Sequence, residues 1–160
     1  MDILDYAMKM EKDGESFYRQ LAKDADSKGV KTIFAMLADE EVRHFNIIQK
    51  IKSRTPQQIQ DSQILNDVKN VFVQIKESGE KIDYHAKQSE LYKKAQDIEE
   101  LSRKFYLDKA AAAMPEHKKI FLKLAEEEKK HYFLLENIIQ FVSRPEQWLE
   151  NAEFCHLEDY

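Results

Sequence analysis

The chain has 160 residues, 42% of them apolar and 34% charged, with three Gly, three Pro and a single Cys. That composition suits one helical domain with a real core, and it excludes a disordered chain, a disulfide framework and a thiolate metal site. A net charge of −5 with no basic stripe argues against nucleic acid, while the absence of a secretion-type N-terminus and of a long uncharged apolar run points to a soluble, cytoplasmic protein with no membrane partner.

Apolar residues recur at steps of three and four in four long segments, the pattern of helices facing a shared core. The first core helix, about residues 2–27, aligns Leu4, Ala7, Glu11, Gly14, Tyr18, Leu21 and Ala25, with Gly29 read as its end. The second, about 30–53, aligns Phe34, Leu37, Glu41, His44, Ile48 and Ile51 and stops before Pro56. A crossover over 54–81 carries its own amphipathic run, Ile64, Val68, Val71, Phe72 and Ile75; it is long enough to start the second helix pair parallel or antiparallel to the first. The third core helix, about 82–113, aligns Ala95, Glu99, Ser102, Tyr106 and Ala113. The fourth, about 116–142, aligns Phe121, Leu124, Glu128, His131, Leu135, Ile138 and Val142, and breaks at Pro145. The tail, 143–160, holds Trp148, Leu149, Phe154 and Leu157 and is expected to form a short helix that caps the bundle or meets another subunit, with Cys155 as an apolar contact. No low-complexity linker divides the chain, so residues 1–160 are read as one all-α domain, a four-helix bundle with a long crossover between the second and third core helices.

The two halves are near-copies. Ile33-Phe34-Ala35-Met36-Leu37-Ala38-Asp39-Glu40-Glu41-Val42-Arg43-His44 returns as Ile120-Phe121-Leu122-Lys123-Leu124-Ala125-Glu126-Glu127-Glu128-Lys129-Lys130-His131. Upstream, Glu11 with Phe17-Tyr18 returns as Glu99 with Phe105-Tyr106; 88 residues separate the two glutamates and 87 the two histidines, so one residue is lost in the second inter-helix turn. Each half thus supplies a Glu, then a Glu three residues before a His. All six fall on core stripes, where an unpaired carboxylate costs several kcal/mol, so something must neutralise them. Two divalent cations balance four carboxylates and two neutral imidazoles, as do two trivalent ions sharing one oxide. Oxygen and nitrogen donors without thiolate favour iron or manganese over structural zinc.

Chance alone gives about 0.6 Glu-to-His pairs at this spacing for this composition. Three occur, and the third, Glu153 with His156, has no copy and reads as a solvated pair. Glu40, Glu126 and Glu127 flank the chosen glutamates and read as solvated faces. Glu15, one turn past Glu11, is the nearest competitor for the first position, but in the repeat it aligns with Arg103. Tyr18 and Tyr106 follow the upstream glutamates by two turns; a carboxylate on a facing helix would satisfy each phenol, and plain packing fits the same positions. His85 and His117 lack the spacing and are expected at the surface or in turns.

With Glu11, Glu41-Val42-Arg43-His44, Glu99 and Glu128-Lys129-Lys130-His131, together with Leu37-Ala38-Asp39-Glu40-Glu41 and Leu124-Ala125-Glu126-Glu127-Glu128, the sequence resembles the rubrerythrin-like members of the ferritin-like superfamily over roughly residues 1–55 and 84–142. The resemblance implies a ferritin-like bundle around two iron ions, manganese being possible, with an oxo or hydroxo bridge when oxidised and no haem. It implies Glu41 and Glu128 as bridging ligands, His44 and His131 as capping ligands, and Glu11 and Glu99 as terminal ligands. The activity implied is reduction of hydrogen peroxide in defence against oxidative stress, in a homodimer served by an external electron donor such as a rubredoxin. Two departures stand out. Gln96 and Ser102 flank Glu99 at the spacing where many rubrerythrins carry the extra carboxylate of a redox-linked ligand exchange, and the sequence has no cysteine set for a rubredoxin centre of its own. The competing reading is a ferroxidase and iron-storage protein of bacterioferritin type, with oxygen as oxidant; it is weakened by Val42 at the place where those proteins present a haem-binding Met. An oxygenase and a metal-free scaffold are further readings of the same bundle.

Overall fold

The computed structural model describes residues 2–83 and 85–150. Six helices follow one another: α1 (Ile3–Asp24), α2 (Lys28–Lys52), α3 (Ile64–Ser78), α4 (Ala86–Ala112), α5 (Pro115–Ser143) and α6 (Pro145–Glu150). No strand occurs among the described residues, and no helix among them is long and apolar enough to cross a membrane.

Helix starts are set by local chemistry. The Asp2 carboxylate accepts the Asp5 N–H at 2.9 Å, the Ser27 hydroxyl accepts the Val30 N–H at 3.2 Å, and Pro115 opens α5 where a missing N–H costs nothing. Gly79 ends α3 in the left-handed conformation, φ 68°, which a residue without Cβ adopts freely.

Two antiparallel hairpins, α1–α2 and α4–α5, make the bundle, and the crossover returns the chain along its length. Contacts fix the directions. Tyr6 near the start of α1 packs at a tilt against Phe105 near the end of α4, and Tyr18 reaches back to Glu99, so α1 and α4 are antiparallel. Phe34 packs on Tyr92, early residues of both α2 and α4, so these two run parallel.

The expected helices need small corrections. The first ends at Asp24, and Gly29 belongs to the first turn of α2 rather than to the end of α1. Its role is packing: a Cβ there would lie 2.3 Å from Ile75 Cδ1, so glycine lets α3 approach closely. The third core helix starts at Ala86, not near Ile82. Gly79 has just ended α3, and the backbone is still extended at His85, where Ile82 packs on the core from a non-helical segment. Within the tail, α6 folds Trp148 against Phe72 of α3 and Phe141 of α5, with ring centroids 4.4 and 5.5 Å apart. Cys155, Phe154, Leu157 and the Glu153–His156 pair lie outside the described residues.

The core divides in two. One apolar cluster joins Tyr18, Leu21, Phe34, Leu37, Val68, Phe72, Tyr92, Leu135, Phe141 and Trp148 beneath the crossover. The other joins Ala7, Ile47, Ile48, Ile51, Tyr106, Phe121 and Leu124 at the opposite end. Each fully buried large side chain contributes roughly 1.5–3 kcal/mol relative to exposure. Between the clusters, at the waist, lie the polar residues of the stripes.

Candidate metal centre

Glu11 comes from α1, Glu41 and His44 from α2, Glu99 from α4, and Glu128 and His131 from α5. None of the six is more than 5% exposed, and both imidazoles are fully buried. They form two overlapping groups, Glu11, Glu41, His44 and Glu128, and Glu41, Glu99, Glu128 and His131, whose ligating atoms lie within 4.8 Å of one another. Glu41 and Glu128 belong to both groups, while Glu11 with His44 and Glu99 with His131 each belong to one. The imidazoles stack across the waist with centroids 5.5 Å apart and planes 11° from parallel.

A cation fits this geometry on the site's own terms. One oxygen of each of Glu11, Glu41, Glu99 and Glu128, and both nitrogens of His131, are buried without a hydrogen-bond partner among the described residues. Natural interiors seldom tolerate so many orphaned polar atoms in one place, and carboxylate oxygens with imidazole nitrogens make a donor set suited to iron or manganese.

The phenols support the outer carboxylates. Tyr18 donates to Glu99 Oε1 and Tyr106 to Glu11 Oε1, each from the opposite hairpin. Burial, and then the carboxylate each one faces, pushes both phenols well above their ordinary pKa, so both stay protonated donors.

Without cations the site settles its charge with protons. Burial and the neighbouring Glu11, Glu128 and Glu99 push Glu41 well above the carboxylate range, and burial with Glu99 and Glu11 does the same to Glu128. Burial opposes a charge on His44, but Glu11, Glu127 and Glu41 outweigh it and raise the imidazole well above its usual value. Glu11 moves down in return: burial raises it, and His44, Glu41 and Tyr106 prevail.

Two acids expected on solvated faces are buried instead. Glu127 accepts from His44 Nε2 at 2.8 Å and from the Arg43 guanidinium at 2.5 and 3.1 Å. It is held at about 2 despite burial, because His44 and Arg43 hydrogen-bond to it. Glu40 pairs with Arg43 at 3.3 Å and with the Ser62 hydroxyl of the crossover. Their shared place one residue before Glu41 and Glu128 in the repeat was the available signal. Spacing along one helix does not reveal a partner on another. Glu126 is exposed, and Glu15 pairs with Arg19 at 3.2 Å, away from the centre.

Gly14 also belongs to the site. A Cβ there would lie 2.8 Å from Glu41 Oε2, so the missing side chain makes room for that carboxylate. The repeat counterpart is Ser102, buried beside Glu99 on α4, and Gln96 bonds to Glu136 at 2.9 Å rather than into the cluster. His85 is exposed and pairs with Asp26 at 2.9 Å, and His117 sits partly exposed in the first turn of α5, lining a cavity at the bundle end.

An all-α bundle with a carboxylate and histidine waist of this kind defines the ferritin-like class of di-metal carboxylate proteins. The family comparison is more specific: the Rubrerythrin model matches residues 2–153, and the chain belongs to the rubrerythrin family, whose domain is a ferritin-like di-iron domain. No curated protein and no solved structure matches the chain.

Proposed function

We propose that this protein is a di-iron oxidoreductase that reduces hydrogen peroxide to water. The observation that carries the reading is the pair of overlapping carboxylate and imidazole groups, buried, short of hydrogen-bond partners and sharing Glu41 and Glu128, inside a rubrerythrin-family bundle. In this reading the two ions would share Glu41 and Glu128, while Glu11 and His44 would hold one and Glu99 and His131 the other. Manganese in place of iron suits the same donors.

Peroxide cleavage consumes two electrons and two protons and yields two waters. That electron pair is the chemistry a bound pair of irons would supply, one electron from each. The chain's own residues do the rest. The two apolar clusters keep bulk water from the waist, which strengthens every charge interaction there. Tyr18 and Tyr106 hold the outer carboxylates in one rotamer by hydrogen bonding. His44 carries its Nε2 proton toward Glu127, which keeps Nδ1 turned inward, and the Arg43 guanidinium links Glu127 to the surface cavity beside Gln60 and Ser62.

These 160 residues hold one cysteine, so they carry no four-thiolate iron centre, and we assign the electron donor to a separate redox centre of rubredoxin type. A cytoplasmic homodimer is the assembly we expect. Ferroxidase and storage activity uses the same six residues, and oxidant preference separates the two. Mixing anaerobic, iron-loaded, reduced protein with peroxide or with oxygen in a stopped-flow spectrometer should give much faster oxidation by peroxide. Faster reaction with oxygen, with uptake of many irons per chain, would favour storage, and inertness toward both would remove the enzyme reading.

A further inference from the structure

The repeat makes the two halves of the waist equivalent in sequence, yet their supports differ. Glu127 and Glu40 occupy the same place in the two copies, each one residue before a shared carboxylate. Glu127 reaches across to His44 of the other hairpin and bonds its Nε2 at 2.8 Å, while Nδ1 faces the cluster 2.9 Å from Glu128 Oε1 and 3.5 Å from Glu11 Oε2. The mirror contact would join Glu40 to His131. A Glu40 oxygen lies within 4.8 Å of a His131 nitrogen, but the carboxylate is taken by Ser62 and Arg43 instead. Among the described residues neither ring nitrogen of His131 has a hydrogen-bond partner, and its Nδ1 stands 3.4 Å from Glu99 and 3.6 Å from Glu41.

Arg43 is the cause of the difference. Its guanidinium spans Glu127, Glu40 and the Gln60 carbonyl of the crossover, a fork that its repeat counterpart, Lys130, cannot form. The crossover exists on one side of the bundle only, so it breaks the twofold likeness of the halves at this point.

We propose that the two metal positions fill in order: the one held by Glu11 and His44 first and tightly, the one held by Glu99 and His131 second and weakly, with Glu127 and Arg43 as positioning residues for His44. This rests on the two-metal reading above. A buried imidazole whose outer nitrogen is already bonded to a carboxylate has its orientation and tautomer fixed and its basicity raised, and losing such a partner typically weakens metal binding about 10–100-fold. His131 must be ordered by the ion itself.

The test is anaerobic titration of the metal-free protein with Mn(II), read by calorimetry and electron paramagnetic resonance. The first equivalent should give the spectrum of an isolated ion and the second should convert it to a coupled pair, with affinities at least about tenfold apart. Glu127→Leu should bring the first step close to the second, and Glu127→Gln, which keeps an acceptor for Nε2, should preserve most of the gap. Ser62→Ala, which removes a partner of Glu40 and none of the six ligand side chains, should free Glu40 for His131 and tighten the second step alone. Equal steps, a coupled signal from the first addition, or equal weakening of both steps by Glu127→Leu would overturn the order while leaving the two-metal reading intact. Failure of the unaltered protein to bind either Mn(II) or Fe(II) would overturn that reading as well.

Discussion

The waist of the bundle and its two apolar ends are built from the same helices at the same three-and-four spacing, and they are stabilised in opposite ways. At the ends, Leu, Ile and Phe side chains leave water and gain close packing with no further requirement. At the waist the same stripe positions hold Glu11, Glu41, His44, Glu99, Glu128 and His131, which lose hydration and find partners in one another, in Glu127 and in two phenols, with donor atoms left over that could hold a cation. The ends fold the chain, and the waist uses stability that the ends provide.

Substitutions separate the two regions. Glu128→Ala removes a carboxylate shared by both groups and should abolish stoichiometric binding of the pair while leaving the helical content intact, checked by metal analysis and circular dichroism. Leu124→Ala, one turn earlier in α5 and fully buried, should do the reverse: a loss of about 2–5 kcal/mol in denaturant unfolding, with both ions retained.

The pH dependence of stability should also divide them. Glu41, Glu128 and His44 have raised values in the fold, so each stabilises the metal-free protein fully below its unfolded pKa and loses that contribution as pH climbs toward its folded value. Metal-free protein should therefore lose stability from mildly acid toward alkaline pH, by up to about 1.4 kcal/mol per pH unit for each proton released. The shift of Glu11 is downward, and its contribution is lost at the acid end instead. Metal-loaded protein should show a much flatter profile above neutrality, because bound cations have already displaced the protons. Melting temperatures of both forms across pH check this.

Smaller effects sharpen the contrast. Gly29→Ala drives a methyl into Ile75 at the crossover and should cost about 1–3 kcal/mol without changing metal content. Tyr106→Phe leaves Glu11 without its phenol and should weaken the ion beside Glu11 by about tenfold, with little change in unfolding once metal is removed.

What the sequence reveals of this division follows from what periodicity can encode. Helix faces are local, so the buried stripes of α1, α2, α4 and α5, the amphipathic run of α3 and the place of Glu11 and Glu128 on core faces are all legible from residue spacing. Contacts between helices depend on the register of one hairpin against the other, which spacing does not carry. Hence Glu127 and Glu40 read as surface acids although one bonds His44 and the other Ser62. Gly29 reads as a helix end because glycine serves both stops and close approaches, and only the nearness of Ile75 decides between them. The start of α4 reads too early for a related reason: Ile82 is apolar because it packs on the core, not because it is helical.

X-ray absorption at the iron edge of anaerobically loaded protein tests the central claim most directly. Two irons per chain about 3.5–4 Å apart, with only oxygen and nitrogen neighbours, is the result expected. A lone iron, or a spectrum with no short metal-to-metal distance, would contradict the account.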